Sequence, residues 1–294
     1  MKRKPATSGK PRREPAREDG GVLHNGQALL VYFGLAGEDD ADSRRSGGPA
    51  DAAIIIRNRI LDLTLPPGSR IDDRLLMDRF NMGRTPAREA FNRIASEGLI
   101  IIERNRGAFV RPLDIQHIQH FFDAYIASER IVGYFCRLDD PTLERDLKEI
   151  QGSYLVAYAK ERLLQMTRAN ARLHGRIAVA TRNEYVAENA LRLYNHARRL
   201  SYFSYMLEQD FIPDQRETQA MIKADHDDII DTVRKKTEGR LVDILSRHAV
   251  MFHSRITRVL SKTRGENSPV PVPLQNGRDA SARKRPPARK LRGS

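Results

Sequence analysis

The apolar positions of 51–113 predict two helices close to the start of this segment. The first has its buried residues at helical spacing, at Ile56, Ile60 and Leu63, and the turn sequence "TLPPGSR" ends it. Asp72 and Asp73 open the second helix, where negative charge suits the positive end of the helix dipole. Leu76 and Phe80 mark its buried side. Two helices joined by a tight turn are therefore expected before the break at "NMG".

A third helix and a β-hairpin are predicted after that break. The apolar face of the helix is formed by Ala87, Ala90, Phe91 and Ile94. The sequence "LIIIERNRGAFVRPL" then contains a β-branched run, a polar turn with Gly107 and a second short run, which is a hairpin pattern. Three helices followed by a hairpin predict a winged helix-turn-helix over 51–113.

The segment 114–263 has no strand pattern. Its apolar residues recur at intervals of three and four, and the helical pattern is interrupted at "DDP", "TRNE", "IPD" and "TEG". These features predict about six helices packed as an antiparallel bundle with short connections. The expected fold class is therefore mainly α, with an N-terminal winged helix-turn-helix followed by an all-helical bundle.

The two ends of the chain lack a sustained period. Residues 1–50 and 264–294 are rich in Gly, Pro, Ala and charged residues, so we expect both to be disordered. The apolar run "ALLVYFGL" at 28–35 is too short to span a membrane and has no explanation in the sequence. Whether residues 1–50 belong to the natural protein is left open.

Most of the net charge of +13 lies in these two ends. Residues 1–17 hold seven Lys or Arg against one acid, and 264–294 hold eight against two. The basic composition therefore does not indicate that the folded part binds a polyanion, and the tails would bind nucleic acid weakly and without sequence preference. A single cysteine, Cys136, fits a reducing cytoplasm, and the lack of an eighteen-residue apolar run means that neither a membrane span nor a membrane partner is expected.

The stretch "GRTPAREAF" places two arginines at the start of the third helix. Gly83 is an acceptable N-cap, and Pro86 suits the first turn because its missing N–H costs nothing there. Arg84 and Arg88 oppose the helix dipole unless an anion or a base edge meets them. Such a meeting occurs in a helix-turn-helix, whose second motif helix inserts its N-terminal residues into the major groove.

The segment "LDLTLPPGSRIDDRLLMDRFNMGRTPAREAFNRIASEGLIIIERNRGAFVRPL" resembles the DNA-binding domain of the GntR family of bacterial transcription regulators. The resemblance spans about 60 residues and includes the "RTPxREA" helix start, "EGLI" and the "RGAFV" wing. It implies that Arg74, Arg84 and Arg88 contact DNA, with Thr85 on a phosphate. Arg106 and Gly107 would enter the minor groove. The family usually has Ser where this chain has Gly83, so one hydroxyl contact is expected to be lost.

Four residues of the helical segment form a candidate metal site. Asn170 and His174 lie four residues apart and share one face of a predicted helix. His226 lies in the middle of another helix, and His248 follows 22 residues later in the last one, so an antiparallel hairpin can bring the two together. Imidazoles are the commonest ligands of borderline divalent metals, and three of them with one oxygen can form a complete or open site.

This pattern resembles the FCD effector domain of the FadR subfamily of GntR regulators, in which Asp-x3-His and two later histidines bind a divalent metal. The resemblance implies a Zn, Ni or Mn ion, with a small organic acid completing its coordination. Asn170 stands where the family usually has Asp, so weaker affinity or a metal-free site is expected. Many relatives also carry an Arg one turn before a Glu; that Glu aligns with Glu129, which leaves Tyr125 in place of the Arg.

The resulting hypothesis is a homodimeric, ligand-responsive regulator, expected to be a repressor. It would bind a palindromic operator through 51–113 and a small organic acid or sugar acid through 114–263. Two alternatives stay open. One is a metal-dependent enzyme on the helical bundle, although no placed general base is evident. The other is a non-specific nucleic-acid binder that uses its basic tails.

Overall fold

The computed structural model describes residues 20–36, 49–72, 74, 83–211 and 216–265. The described elements are, in chain order, α1 (Gly20–Tyr32), α2 (Pro49–Leu61), β1 (Arg70–Ile71), α3 (Arg84–Ser96), β2 (Ile100–Glu103), β3 (Gly107–Val110), α4 (Ile115–Phe135), α5 (Leu143–Ala159), α6 (Leu163–Val179), α7 (Glu184–Phe211), α8 (Arg216–Lys235) and α9 (Arg240–Gly265). The described residues of 49–121 and 257–265 form one compact unit, and those of 20–36 and 122–256 form a second.

The first unit is a small winged-helix fold. Helices α2 and α3 pack against each other, and the strands form an antiparallel sheet in the order β1-β3-β2. Its core is made of apolar residues from all of these elements, among them Ile56, Ile60, Ile71, Ile94, Leu99 and Val110. Helix α2, helix α3 and the hairpin agree with the sequence prediction, except that α2 ends at Leu61. Leu63, predicted on its buried face, lies beyond the helix with φ +62° and is only half-buried.

Two parts of this unit do not correspond to a confirmed prediction: the second predicted helix and strand β1. Of the second predicted helix, only Asp72, which is not helical, and Arg74, which is, belong to the described residues; Asp73, Leu76 and Phe80 lie outside them. Strand β1 was not predicted, because a two-residue strand after a Pro-Pro-Gly turn has no periodicity to detect. Its register pairs Arg70 with Phe109, so it adds a third strand to the wing hairpin.

A buried ion pair joins α2 to the end of α3. Arg57 Nε donates to Glu97 Oε2 at 2.7 Å, and Arg57 Nη2 donates to Oε1 of the same carboxylate. Both side chains are about 1% exposed. Breaking such a pair leaves an uncompensated buried charge, so the two partners are expected to hold α3 in place.

The second unit contains α5 to α8 and most of α4 and α9, which together match the prediction of about six helices for 114–263. An ionic network at one end links α5 and α6: Arg176 donates to Asp140 Oδ2 at 2.7 Å, to Asp146 Oδ2 at 2.9 Å and to the Thr142 hydroxyl. Among the helices described, none is both long and apolar enough to cross a membrane.

The expectation of disorder throughout 1–50 is wrong for 20–36. Residues 20–32 form α1, and the chain then ends the helix with a Schellman motif in which Gly34 has φ +70°. Leu35 N donates to Leu30 O at 2.7 Å, and Gly34 N donates to Val31 O. Phe33 and Leu35 are each 1% exposed. Burial of Leu30, Phe33 and Leu35 accounts for three of the apolar residues of the run "ALLVYFGL", whereas Val31 and Tyr32 are exposed.

Candidate functional site

The three predicted histidines of the helical unit meet in its interior. His174 of α6, His226 of α8 and His248 of α9 each offer one ring nitrogen, and these atoms lie within 4.8 Å of one another. The rings of His174 and His248 are stacked at 5.1 Å between centroids, and His226 lies 5.2 Å from His248. All three side chains are buried. The helices therefore place three nitrogen ligands around one point.

Each imidazole is oriented by a hydrogen bond at Nδ1. His174 Nδ1 lies 2.9 Å from Glu129 Oε2. His226 Nδ1 lies 2.7 Å from Gln151 Oε1, and His248 Nδ1 lies 3.2 Å from Asp225 Oδ2. With Nδ1–H donating to these oxygens, Nε2 of each ring carries the lone pair that a metal ion binds.

Two observations show that this histidine cluster fits a divalent metal. Nε2 of His174 and Nε2 of His226 are buried and have no hydrogen-bond partner among the described residues. Burial, followed by repulsion from His248 and His174, holds the pKa of His226 well below its ordinary value of 6.5. Burial also lowers the pKa of His248, although Asp225 acts in the opposite direction. The neutral imidazole is the form that binds metals.

The fourth predicted ligand, Asn170, lies one turn before His174 on α6. It lines a cavity together with His248, Tyr125 and Arg255. An amide oxygen carries no net charge, so at this position it would contribute less to metal affinity than the carboxylate that the resemblance implies. Tyr125 is buried, and its burial raises the pKa of the phenol well above 10.0. It therefore acts in the cavity as a neutral hydroxyl.

The only described arginine that lines this cavity is already neutralised. Arg255 donates to Glu208 through Nε at 2.6 Å and through Nη2 at 2.9 Å, and both residues are buried. Its guanidinium lies 3.7 Å from the centre of the Tyr205 ring. A second hydrogen-bond chain runs from Tyr154 through Gln219 to Tyr205. The lining thus combines aromatic surface with hydroxyl and amide groups.

The predicted DNA-contacting residues of the winged-helix unit lie on α3, on the wing and at Arg74. Arg84, Thr85 and Arg88 are exposed on α3, which has no acidic residue in its first turn. Gly83 caps that helix with φ −69° and ψ 156° and provides no side-chain hydrogen bond. Arg88 also lines an open groove of about 570 Å³ together with Arg74 and Gly107.

The wing residues have partners within the hairpin. Arg106 is 64% exposed, pairs with Glu103 and lies 5.6 Å above the Phe109 ring. Gly107 begins β3 with φ +104°, a conformation that favours glycine. A side chain there would also meet Arg70, whose Nε would lie 3.4 Å from the added Cβ. The wing tip therefore has no side chain at position 107 and an exposed arginine at position 106.

Sequence reasoning missed part of the site. Gln151 has no periodicity or motif that would assign it to His226, from which it is separated by 75 positions. Asp225 directly precedes His226 in the chain, yet it binds His248 instead. Arg247 also holds Asp225 Oδ1, at 2.6 Å. Adjacent residues on a helix point about 100° apart, which explains why Asp225 contacts His248 rather than its chain neighbour His226.

Two family models match this chain. "Bacterial regulatory proteins, gntR family" matches 50–110, and "FCD domain" matches 129–250. The HTH-type transcriptional repressor RspR of Escherichia coli K12 is 33% identical over 66 residues, which cover 22% of this chain and 29% of that repressor. The Nta operon transcriptional regulator of Aminobacter aminovorans is 24% identical, covering 62% of this chain and 93% of that protein.

Two solved structures have the same fold. A GntR protein from Rhodococcus sp. RHA1 aligns with a TM-score of 0.58 at 20% identity, covering 71% of this chain and 97% of that one. McbR/YncC of E. coli aligns with a TM-score of 0.57 at 14% identity, covering 73% of this chain and 98% of that one. With a GntR domain followed by an FCD domain, the chain belongs to the GntR family of bacterial regulatory proteins.

Proposed function

We propose that this protein is a DNA-binding transcription regulator whose FCD unit binds a small effector. The observation that carries the proposal is the clustering of Arg74, Arg88 and Gly107 on one exposed groove beside the start of α3. Both named relatives are transcriptional regulators, and their names support a regulator rather than an enzyme. The boundaries we propose for the two functional domains are 51–113 and 114–263.

The start of α3 supports recognition of base edges in the major groove. Arg84 and Arg88 bring positive charge to a helix end that is already positive, which disfavours the isolated helix and favours contact with DNA. An arginine can donate two hydrogen bonds to guanine O6 and N7, whereas Thr85 suits a phosphate. Arg106 and Gly107 on the narrow wing suit the minor groove.

The partners proposed are a second copy of this chain and a palindromic operator. A two-fold dimer presents two α3 helices to two half-sites, which explains why regulators of this architecture bind two-fold symmetric sequences. Because such DNA lies in the bacterial cytoplasm, we propose that location for the protein. Repression is proposed by analogy with the repressor named above.

The metal proposed for the FCD unit is zinc, nickel or manganese, held by His174, His226 and His248 with Asn170 as the fourth ligand. Such an ion would supply positive charge to which the carboxylate of an organic acid or sugar acid can bind. The chain's own residues contribute the rest: Glu129, Gln151 and Asp225 orient the imidazoles. Tyr125 and Tyr205 contribute aromatic surface to the cavity.

Selection of DNA by the full chain from a random pool tests the proposal. We expect a two-fold symmetric sequence to be enriched, and Arg88→Ala to weaken its binding by about 1–3 kcal/mol. Arg59→Ala, which removes an equal charge from α2, is the matched control and should reduce specific and non-specific binding alike. If no sequence is enriched, or if Arg88→Ala binds the selected sequence as the wild type does, the proposal fails.

A further inference from the structure

The N-terminal helix α1 packs against α6, which carries His174 of the histidine cluster, and against α7, which carries its aromatic neighbour Tyr194. It contacts α6 and α7 within the FCD unit. Asn195 Nδ2 of α7 donates to Phe33 O at 3.1 Å, and Asn195 is fully buried. Arg168 of α6 donates to Ala36 O at 3.3 Å. Both hydrogen bonds hold the backbone just after α1.

On α6, a residue that contacts α1 directly follows a histidine of the cluster. Gly175 follows His174, and a Cβ added to Gly175 would lie 3.2 Å from Leu30 and 3.5 Å from Leu35. The missing side chain therefore allows the Schellman end of α1 to approach α6 closely. Since consecutive helical residues point about 100° apart, His174 and Gly175 present the cluster and α1 with two faces of the same helical turn.

The same arrangement occurs on α7. The ring of Tyr194 lies 5.6 Å from the His174 ring and 6.1 Å from the Tyr125 ring. The next residue, Asn195, holds Phe33 O. Two different helices therefore each have one residue on the cluster side and the following residue on α1. A shift of α6 or α7 that changes the cluster also changes the surface that α1 occupies.

We infer that α1 with its Phe33–Gly34–Leu35 end is a regulatory strap, whose packing on α6 and α7 reports the state of the histidine cluster. The chain continues from α1 through 37–48 directly into α2 of the winged-helix unit, so the strap is covalently joined to that unit independently of α4 and α9, the two helices that also run from one unit into the other. This inference rests on the proposed function, because it names how the effector-binding unit influences the DNA-binding unit.

Hydrogen exchange of the full chain, read by mass spectrometry, tests this inference without knowledge of the operator or effector. Leu35→Asp first identifies the amides that report docking: exchange across 27–36 should rise about ten-fold or more, because a buried charge undocks the strap. Val31→Asp is the matched control, since Val31 is 53% exposed on the same helix, and it should leave exchange at the remaining positions unchanged.

The coupling is then measured by two perturbations of the cluster, zinc chloride and His226→Ala. Each should change exchange across 27–36 by about three-fold or more, whereas Gly152→Ala, at a position with open space around it, should change nothing. If His226→Ala alters the strap and zinc does not, coupling stands and the zinc site of the proposed function fails. If His226→Ala leaves 27–36 at wild-type exchange, the inference is overturned, whether or not DNA selection succeeds.

Discussion

Single residues set the chemistry of the histidine cluster. Glu129, Gln151 and Asp225 hold the three imidazoles by Nδ1, so their acceptor oxygens are used for orientation. Asn170 has a neutral amide oxygen, whereas the resemblance to FCD domains implies a carboxylate at this position. A divalent ion would therefore have fewer negative charges beside it here than in a site with Asp at position 170.

Asn170→Asp is expected to raise zinc affinity roughly ten-fold, because an anionic oxygen binds a divalent cation more strongly than an amide does. Calorimetric titration of chelator-treated protein measures the change. Asn183→Asp is the matched control, since Asn183 caps α7 by accepting from the Val186 amide at 3.2 Å, and Asp is equally suitable there. Equal zinc affinity in the wild type and Asn170→Asp would exclude Asn170 from the coordination shell.

The lowered pKa values of His226 and His248 predict a pH-dependent stability of the metal-free protein. Below pH 6.5, the ordinary pKa of histidine, the unfolded chain takes up protons that the folded cluster resists. These two histidines therefore leave the free energy of unfolding unchanged above pH 6.5, and they should lower it as the pH drops below 6.5. Each such histidine contributes at most about 1.4 kcal/mol for each pH unit.

Thermal unfolding in the presence of chelator between pH 7.5 and 5.5 checks this expectation. His226→Gln should reduce the loss of stability on acidification, whereas His120→Gln, at an exposed position on α4, should retain it. A wild-type pH profile in His226→Gln would show that another group causes the acid sensitivity.

At the scale of an element, α3 combines a weak N-cap with a start suited to DNA. Gly83 has the extended backbone of an N-cap but no side chain to accept from the first-turn amides. At the other end of α3, Glu97 is held by the buried Arg57. The helix is thus held firmly at its C-terminal end, while its N-terminal end is left exposed.

Gly83→Ser is expected to stabilise the winged-helix unit by about 0.3 kcal/mol, because the serine hydroxyl can cap α3. The added Cβ would lie 3.5 Å from Pro86 Cδ, an ordinary van der Waals contact, so the change fits. Gly83→Ala should act in the opposite direction by roughly 0.5 kcal/mol, since alanine is a poor N-cap. Denaturant unfolding measures both; a common sign for Ser and Ala would contradict the capping argument.

At the scale of the whole molecule, the excess positive charge and the residues proposed to recognise a DNA sequence lie in different parts of the chain. Positions 1–17 and 266–294, which hold most of the excess positive charge, lie outside the described residues, whereas the proposed reading surface lies in 70–110. We therefore separate how strongly the protein binds any DNA from how well it discriminates between sequences.

Deletion of 1–17 and 266–294 should lower affinity for random DNA and reduce its salt dependence, because fewer phosphates are neutralised. The ratio of affinities for selected and random DNA should change by less than about three-fold, since the residues proposed to contact bases lie in 70–110. Fluorescence anisotropy at several salt concentrations measures both quantities. Loss of the ratio on deletion would favour the alternative that the basic tails carry the binding.

The sequence by itself determined the elements whose signals are local. Helices α2 and α3, the wing hairpin and the six helices of the FCD unit follow from periodicity and turn residues, which act within a few positions. The same holds for the exposed arginines of α3, which a short motif identified. The prediction from sequence is wrong for 20–36. Composition predicts disorder there, whereas these residues form α1 and the Schellman motif of "YFGL" that ends it.

Only the tertiary structure decided which groups meet across long separations. Glu129 and Gln151 reach histidines that are 45 and 75 positions away, and Asn195 meets Phe33 across 162 positions. Such contacts depend on which helices pack against each other, and many different arrangements of the helices would bury the same apolar residues. The sequence therefore specified which helices form, whereas packing determined which imidazole each acceptor orients and that α1 lies against α6 and α7.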